Sequence, residues 1–147
     1  MSDSLSKQRL KTWLRLLRMT RRAEGELREY LRVTHETTLP RFDVMAALYR
    51  RPDGVTMSEL GRMLLVSNGN VTAVVDRLEA DGLARRNQSA TDRRTVFVVL
   101  TPAGQAQFAR LAADHEAEIN RIFGDLDEKD LDILTAVLSR VGQKEKA

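Results

Sequence analysis

The chain is 147 residues long, 42% hydrophobic and 31% charged, the balance of one ordinary globular domain rather than of a disordered segment. It contains no cysteine, which excludes a disulfide framework and thiolate chemistry, and it carries neither an apolar run of bilayer length nor a signal-peptide pattern; a cytoplasmic protein with no membrane partner is expected. The formal net charge of +3 permits nucleic acid binding, and the arginines gather along the first helical segment and around Arg85, Arg86, Arg93 and Arg94.

Residues 5–33 predict a long helix. Trp13, Leu17, Leu27 and Leu31 recur at helical spacing, and Leu10, Leu14 and Tyr30 widen the stripe. Lys11, Arg15, Arg18 and Arg22 follow at steps of four, three and four, which aligns them as a cationic stripe on the same helix. A break at Thr37-Thr38-Leu39-Pro40 introduces a second helix, with Thr38 as N-cap and Pro40 in the first turn, where proline is tolerated. Phe42, Met45, Leu48 and Tyr49 share one side of it, and Pro52-Asp53-Gly54 ends it as a turn. Thr56-Met57-Ser58-Glu59 is a capping box that opens a short helix over 57–64. Ser67 is expected to cap the next helix, which runs to about Asp81, with Gly82 in the left-handed position beyond its end. Only roughly three residues around Leu65-Val66-Ser67 join these two helices, the spacing of a helix-turn-helix.

A hairpin follows, with strands over 83–88 and 95–100; Val96, Val98 and Leu100 are expected on one face, Phe97 and Val99 on the other. The loop between them, Ser89 to Arg94, is polar and basic. Thr101-Pro102 starts another helix with a cap and a proline at its first position, and Phe108, Leu111, Ala112, His115, Ile119, Ile122 and Phe123 form its apolar stripe. After a break at Leu126-Asp127-Glu128, Leu131, Leu134, Leu138 and Val141 mark the last helix. The fold class is therefore mainly α with a small β-hairpin wing. A DNA-binding lobe over 37–101 is carried between helical segments, 1–36 and 102–147, whose apolar stripes a lobe of this size cannot cover. A homodimer that buries both ends together is expected.

The middle of the chain has the chemistry of a groove reader. Ser67, Asn68, Asn70 and Thr72 put short polar side chains at a helix N-terminus, where base edges are approached, and Gly69 permits close backbone contact. Val71, Val74, Val75 and Leu78 are expected to face the core, and Arg77 to reach a phosphate. In the hairpin loop, Arg93 and Arg94 suit the negative potential of a narrow minor groove, and Asp92 is positioned to brace the Arg94 guanidinium. Enzyme readings find no support. His115-Glu116 and His35-Glu36 begin like a zinc-protease motif but lack the second histidine. No nucleophile elbow, phosphate loop or dinucleotide fingerprint is present. Two histidines without cysteine argue against a transition-metal site, and no cofactor is expected.

The stretches LVSNGNVTAVVDRLEADGLARR and DRRTVFVVLTPAG resemble the MarR family of winged-helix regulators, and the flanking helices extend that resemblance over nearly the whole chain. It implies a homodimer on a pseudo-palindromic double-stranded operator. By position it places Ser67, Asn68, Asn70, Val71 and Thr72 in the groove-reading segment and Asp92 and Arg94 in the wing pair. It also implies a small aromatic or acidic effector that binds between the dimer helices and the lobe and releases DNA. LPRFDVMAALYRRPDGVTMSELGRMLLVSNGNVT is similar to a branch that senses aromatic acyl-coenzyme A thioesters. The cationic stripe is compatible with coenzyme A phosphates; it equally fits a solvated face or contact with the DNA backbone. An effector is expected at the junction of the first, second and fifth helices, near Trp13, Leu17, His35, Phe42, Met45 and Phe108, with Arg18 and Arg22 on the stripe. Each of the apolar residues fits plain core packing as well. Outside the repressor reading stand an effector-independent activator or architectural factor, and a carrier with a vestigial helix-turn-helix.

Overall fold

An uninterrupted run free of proline forms α1, Ser2–His35, longer at both ends than its apolar stripe predicts. The structure is a computed structural model and describes residues 2–65 and 70–142. Thr38 caps α2, Leu39–Tyr49, accepting a hydrogen bond from the Arg41 N–H. The capping box closes at the start of α3, Met57–Met63, with Thr56 and Glu59 satisfying each other's backbone N–H groups.

The start of α4, Val71–Ala80, departs from expectation. Its N-cap is Asn70, not Ser67. Both residue types cap well, so residue type alone does not choose between them. Ser67 and Asn68 lie outside the described residues. Gly82 has φ +75° and ends α4 as expected. β1, Ala84–Gln88, pairs antiparallel with β2, Val96–Leu100, in the register Ala84 opposite Leu100 through Gln88 opposite Val96. Val55 adds a single bridge to the other edge of β2, exchanging both backbone hydrogen bonds with Val98 at 3.1 and 2.8 Å. Val98, Val99 and Leu100 are all buried. The simple alternation of faces therefore holds only near the exposed tip, because helices and the Val55 segment cover both sides of the sheet's inner end.

α5, Pro102–Ile122, is capped by Thr101. Its first turn presses on the chain leaving α4: a Cβ on Gly104 would lie 2.0 Å from the Leu83 carbonyl oxygen. Only glycine lets the two backbones approach this closely. Asp127 and Asp130 form a second capping box at the start of α6, Glu128–Val141.

α2 is the central element. Leu39, Phe42, Val44, Met45, Ala47 and Leu48 are buried, more of its circumference than one apolar side, because α5, α4 and β2 all pack on it. Leu60, Val75, Leu78 and Val98 complete a core from which solvent is fully excluded. The chain's two ends are different. No described residue of α6 is buried, and Leu131, Ile133, Leu134 and Leu138 stand exposed there, as do Leu5, Leu10, Trp13 and Met19 on α1.

Candidate nucleic-acid interface

α4 shows how the sequence builds a recognition surface. Burying Val75 and Leu78, with Val71 and Val74 half-buried against the core, turns Thr72, Ala73, Asp76 and Arg77 outward. Val71 thus stands at the margin between core and surface. Asn70 is exposed at the tip, but its Oδ1 accepts a hydrogen bond from Ala73 N–H at 3.2 Å. The cap engages the acceptor oxygen, and the side-chain amide remains to donate outward.

Three contacts that sequence reasoning missed hold this helix in place. Asp43, buried in α2, accepts a hydrogen bond from Leu65 N–H through Oδ2 at 2.9 Å, which fixes the chain as it leaves α3. The available signal was a single carboxylate inside the apolar run Phe42-Asp43-Val44-Met45; buried acids are rare unless they are partnered. Arg41 meets Asp81 at 2.7 Å and ties the start of α2 to the end of α4. Arg86, on β1, reaches Asp76 at 2.8 Å and Glu79 at 3.0 Å, and its backbone N–H also donates to Glu79 at 3.0 Å. The wing strand is thereby clamped to α4. Arg86 belongs to the basic cluster in the sequence but is neutralised by its own chain, whereas Arg85 stays exposed.

The wing tip is organised differently from expectation. Asp92 does not brace the Arg94 guanidinium. Its Oδ1 accepts from the Arg94 backbone N–H at 2.9 Å and its Oδ2 from the Thr95 hydroxyl at 3.1 Å. Gln88 donates to the Arg93 carbonyl at 2.7 Å, and Ser89 N–H to the Thr95 carbonyl at 2.8 Å. Backbone groups in a tight loop need partners more urgently than an exposed guanidinium does. The loop is closed, and among the described residues Arg77, Arg85, Arg93 and Arg94 are exposed cations without an ion pair.

The residues expected around an effector do not converge within one chain. Trp13 is 56% exposed and, at about 1.5 Å per helical residue, lies about 33 Å along α1 from His35. Leu17, half-buried, is on the same distant stretch. Phe42, Met45 and Phe108 are buried core. Phe42 packs on Phe108 with centroids 5.4 Å apart and stacks on His115 at 4.3 Å, and burial pushes the His115 imidazole below the ordinary histidine value. His35 has its Nε2 2.8 Å from the Asp114 carboxylate. Arg18 and Arg22 are exposed, with Arg22 3.6 Å from Glu26. The open spaces lie elsewhere: a groove of about 600 Å³ along α1 and α5, reaching Arg21, Arg22, Tyr30 and Arg121, and a cavity of about 430 Å³ at α1, α2 and α4. No group of three metal-ligating side chains occurs among the described residues, and none of their helices is long and apolar enough to cross a membrane.

Known proteins resemble this arrangement over nearly its full length. The MarR family model matches residues 35–95, from the end of α1 to the wing. The HTH-type transcriptional regulator MhqR of Bacillus subtilis is 30% identical over 142 residues, 97% of each chain. Among solved structures, a MarR family transcriptional regulator from Silicibacter pomeroyi superposes with a TM-score of 0.80 at 28% identity, covering 95% of this chain and 96% of that one. Sco3205 of Streptomyces coelicolor, solved in complex with DNA, shares the fold with a TM-score of 0.80 at 20% identity, over 95% of this chain and 88% of its own. Together with the clamped helix-turn-helix and its basic wing, these likenesses place the chain in the MarR family of DNA-binding transcriptional regulators.

Proposed function

We propose that this protein is a homodimeric, ligand-responsive repressor that grips a pseudo-palindromic operator, with one α4 and one wing at each half-site. The observation that carries this reading is the division of the surface. An outward polar face on α4 and unpaired arginines on the wing are held rigid by Arg86, while the unpartnered apolar faces lie on α1 and α6. Thr72, Asn70 and Arg77 meet the major groove and its phosphates, together with Ser67 and Asn68. Arg93 and Arg94 approach the minor groove over the loop that Asp92 closes. The α1 and α6 faces pair with those of a second copy, setting two α4 helices about 34 Å apart, one turn of DNA. A small aromatic effector favours another spacing and releases the operator through its differential affinity for the two dimer shapes. Lys11, Arg15 and Arg18, exposed and without a carboxylate partner among the described residues, support an aromatic acyl-coenzyme A as one such effector.

Fluorescence anisotropy of a labelled fragment from immediately upstream of the gene tests the reading. Tight, sequence-preferring binding by a dimer, reversed by p-coumaroyl-CoA or benzoyl-CoA but not by the free acids, establishes both repressor and thioester. Binding that no aromatic compound reverses leaves an effector-independent regulator. Absence of sequence preference overturns the operator reading.

A further inference from the structure

The tip of α4 spends both oxygens of one residue on its own backbone. The Asn70 side-chain Oδ1 accepts from Ala73 N–H at 3.2 Å, and the Asn70 carbonyl accepts from Val74 N–H at 3.1 Å. A backbone N–H only donates, so the side-chain atom that faces Ala73 is the oxygen and the amide nitrogen is the atom left over. Asn70 is exposed, and its Nδ2 has no hydrogen-bond partner among the described residues. The helix dipole adds positive potential at this end. Asn70 therefore offers DNA a donor and turns its acceptors inward.

The amide is also aimed. Asn70, Ala73 and Arg77 follow at steps of three and four, which lines them on one face of α4, and all three are exposed. Ala73 is small enough to let a groove edge approach between the other two. Arg77 stands about 10 Å farther along the axis, where a cation without an ion pair suits a phosphate. With Arg77 on the backbone, Asn70 faces base edges.

An asparagine that reads adenine does so bidentately, with Nδ2 donating to N7 and Oδ1 accepting from the N6 amino group. That contact needs both atoms side by side on one base. Here they diverge, because Oδ1 is turned back to Ala73. We infer that Asn70 acts as a donor alone and selects a keto base, guanine or thymine, on the strand it faces in each half-site. Guanine O6 and thymine O4 accept in the major groove, whereas adenine N6 and cytosine N4 present amino groups that meet the Asn70 amide donor to donor. The inference rests on the operator reading of α4 and deepens it, because it names the base chemistry that one side chain requires.

Selection of duplexes from a random pool by the full-length protein, then competition anisotropy with each base pair of the selected operator replaced in turn, tests the assignment. At one half-site position, exchanging a keto for an amino base on the contacted strand should weaken binding about tenfold or more. Asn70→Asp keeps an oxygen for the Ala73 N–H and replaces the outward donor with an acceptor. Its affinity should fall at every sequence, since a carboxylate then faces DNA, but at that position the order should reverse to favour adenine or cytosine. Asn70→Ser keeps the cap on a side chain too short to reach a base, and should erase the preference at that position alone. Circular dichroism confirms that both variants are folded. The inference is overturned if the Asp variant ranks the four base pairs as the parent does. It is overturned equally if the Ser variant loses affinity uniformly, which would make Asn70 a phosphate contact, or if the preference that variant loses is for adenine. Each of these results leaves the regulator with its operator. A pool from which no sequence is enriched overturns the operator reading itself, and this inference with it.

Discussion

The lobe between residues 37 and 101 and the helices at the two ends are built from similar apolar residues, but they reach opposite states in one chain. Leu60, Val75, Leu78 and Val98 are wholly excluded from solvent, whereas Leu131, Leu134 and Leu138 on α6 and Leu10 and Trp13 on α1 are exposed. The lobe closes because α2 is surrounded by α4, α5 and β2 and the starts of α2, α3, α4 and α5 are each capped by a side chain. The terminal helix α6 has an equally good cap, the Asp127–Asp130 box, so local signals alone do not bury a face. Burial takes a second surface, and the described residues supply none for the apolar faces of the ends. In the proposed dimer, the region that folds within the chain carries the DNA contacts, and the regions that need a partner set the distance between two such sets of contacts.

The sharpest way to break this contrast is to charge the open face. Leu134→Glu with Leu138→Glu should convert a dimer to a monomer in analytical ultracentrifugation while leaving the lobe's secondary structure intact. Operator affinity should then fall by about 10²–10⁴, the advantage of joining two half-site contacts. An unchanged mass would remove the assignment of α6 to the dimer. In the closed lobe, the counterpart is Gly104→Ala. The new methyl meets the Leu83 carbonyl oxygen at 2.0 Å, a backbone atom that cannot rotate away. A loss of about 3 kcal/mol is expected, seen as a fall in Tm of about 6–12 °C. A Tm within a degree of the parent would mean that α5 does not hold the lobe shut.

Arg86 and Arg94 sharpen the comparison inside the lobe, since one is bound to its own chain and the other is free. Arg86→Gln removes the bridge from β1 to Asp76 and Glu79 and leaves two carboxylates on α4 uncompensated. It should cost about 1 kcal/mol of stability, as a partly exposed network does. It should also weaken operator binding without changing the number of phosphates contacted, so the salt slope stays the same. Arg94→Ala should do the reverse: stability is unaltered, binding is weaker, and the slope of log affinity against log salt is reduced by about 0.9 for one lost phosphate contact. Equal salt slopes for the two variants would show that the wing tip is not at the DNA.

Much of this fold is legible locally. Thr38, the Thr56–Glu59 box, Gly82 and Thr101-Pro102 mark their helix ends in the sequence because a cap and its target lie within three or four residues. The start of α4 is not, since Ser67 and Asn70 are both good cap types and residue type alone does not choose between them. Charge is the least legible property. Arg85, Arg86, Arg93 and Arg94 look alike in the sequence, and only the register of β1 against α4 separates the neutralised one. Asp92 lies in the loop between β1 and β2, but its carboxylate accepts from the Arg94 backbone and the Thr95 hydroxyl rather than bracing the Arg94 guanidinium. Phe42, Met45 and Phe108 have the composition of a binding site and the burial of a core; composition does not distinguish the two.

The smallest effect concerns the boundary between the two regions, where His115 of α5 stacks on Phe42 of α2. Burial lowers the imidazole's proton affinity in the folded chain, so the unfolded chain, with a histidine value near 6.5, binds more protons across the interval between the two. Stability must then rise with pH through that interval. The packing contribution is complete above about pH 6.5 and is lost as the pH falls toward the lowered folded value. His115→Phe keeps a flat ring against Phe42 and cannot be protonated, so urea denaturation at pH 7 and pH 5 should show a smaller loss of stability on acidification than in the parent. The carboxylates that titrate in the same range are common to both proteins and cancel in the difference. The result would show that the imidazole is dehydrated where α5 packs on α2. Identical pH dependence in the two proteins would mean that the imidazole is hydrated in the folded chain.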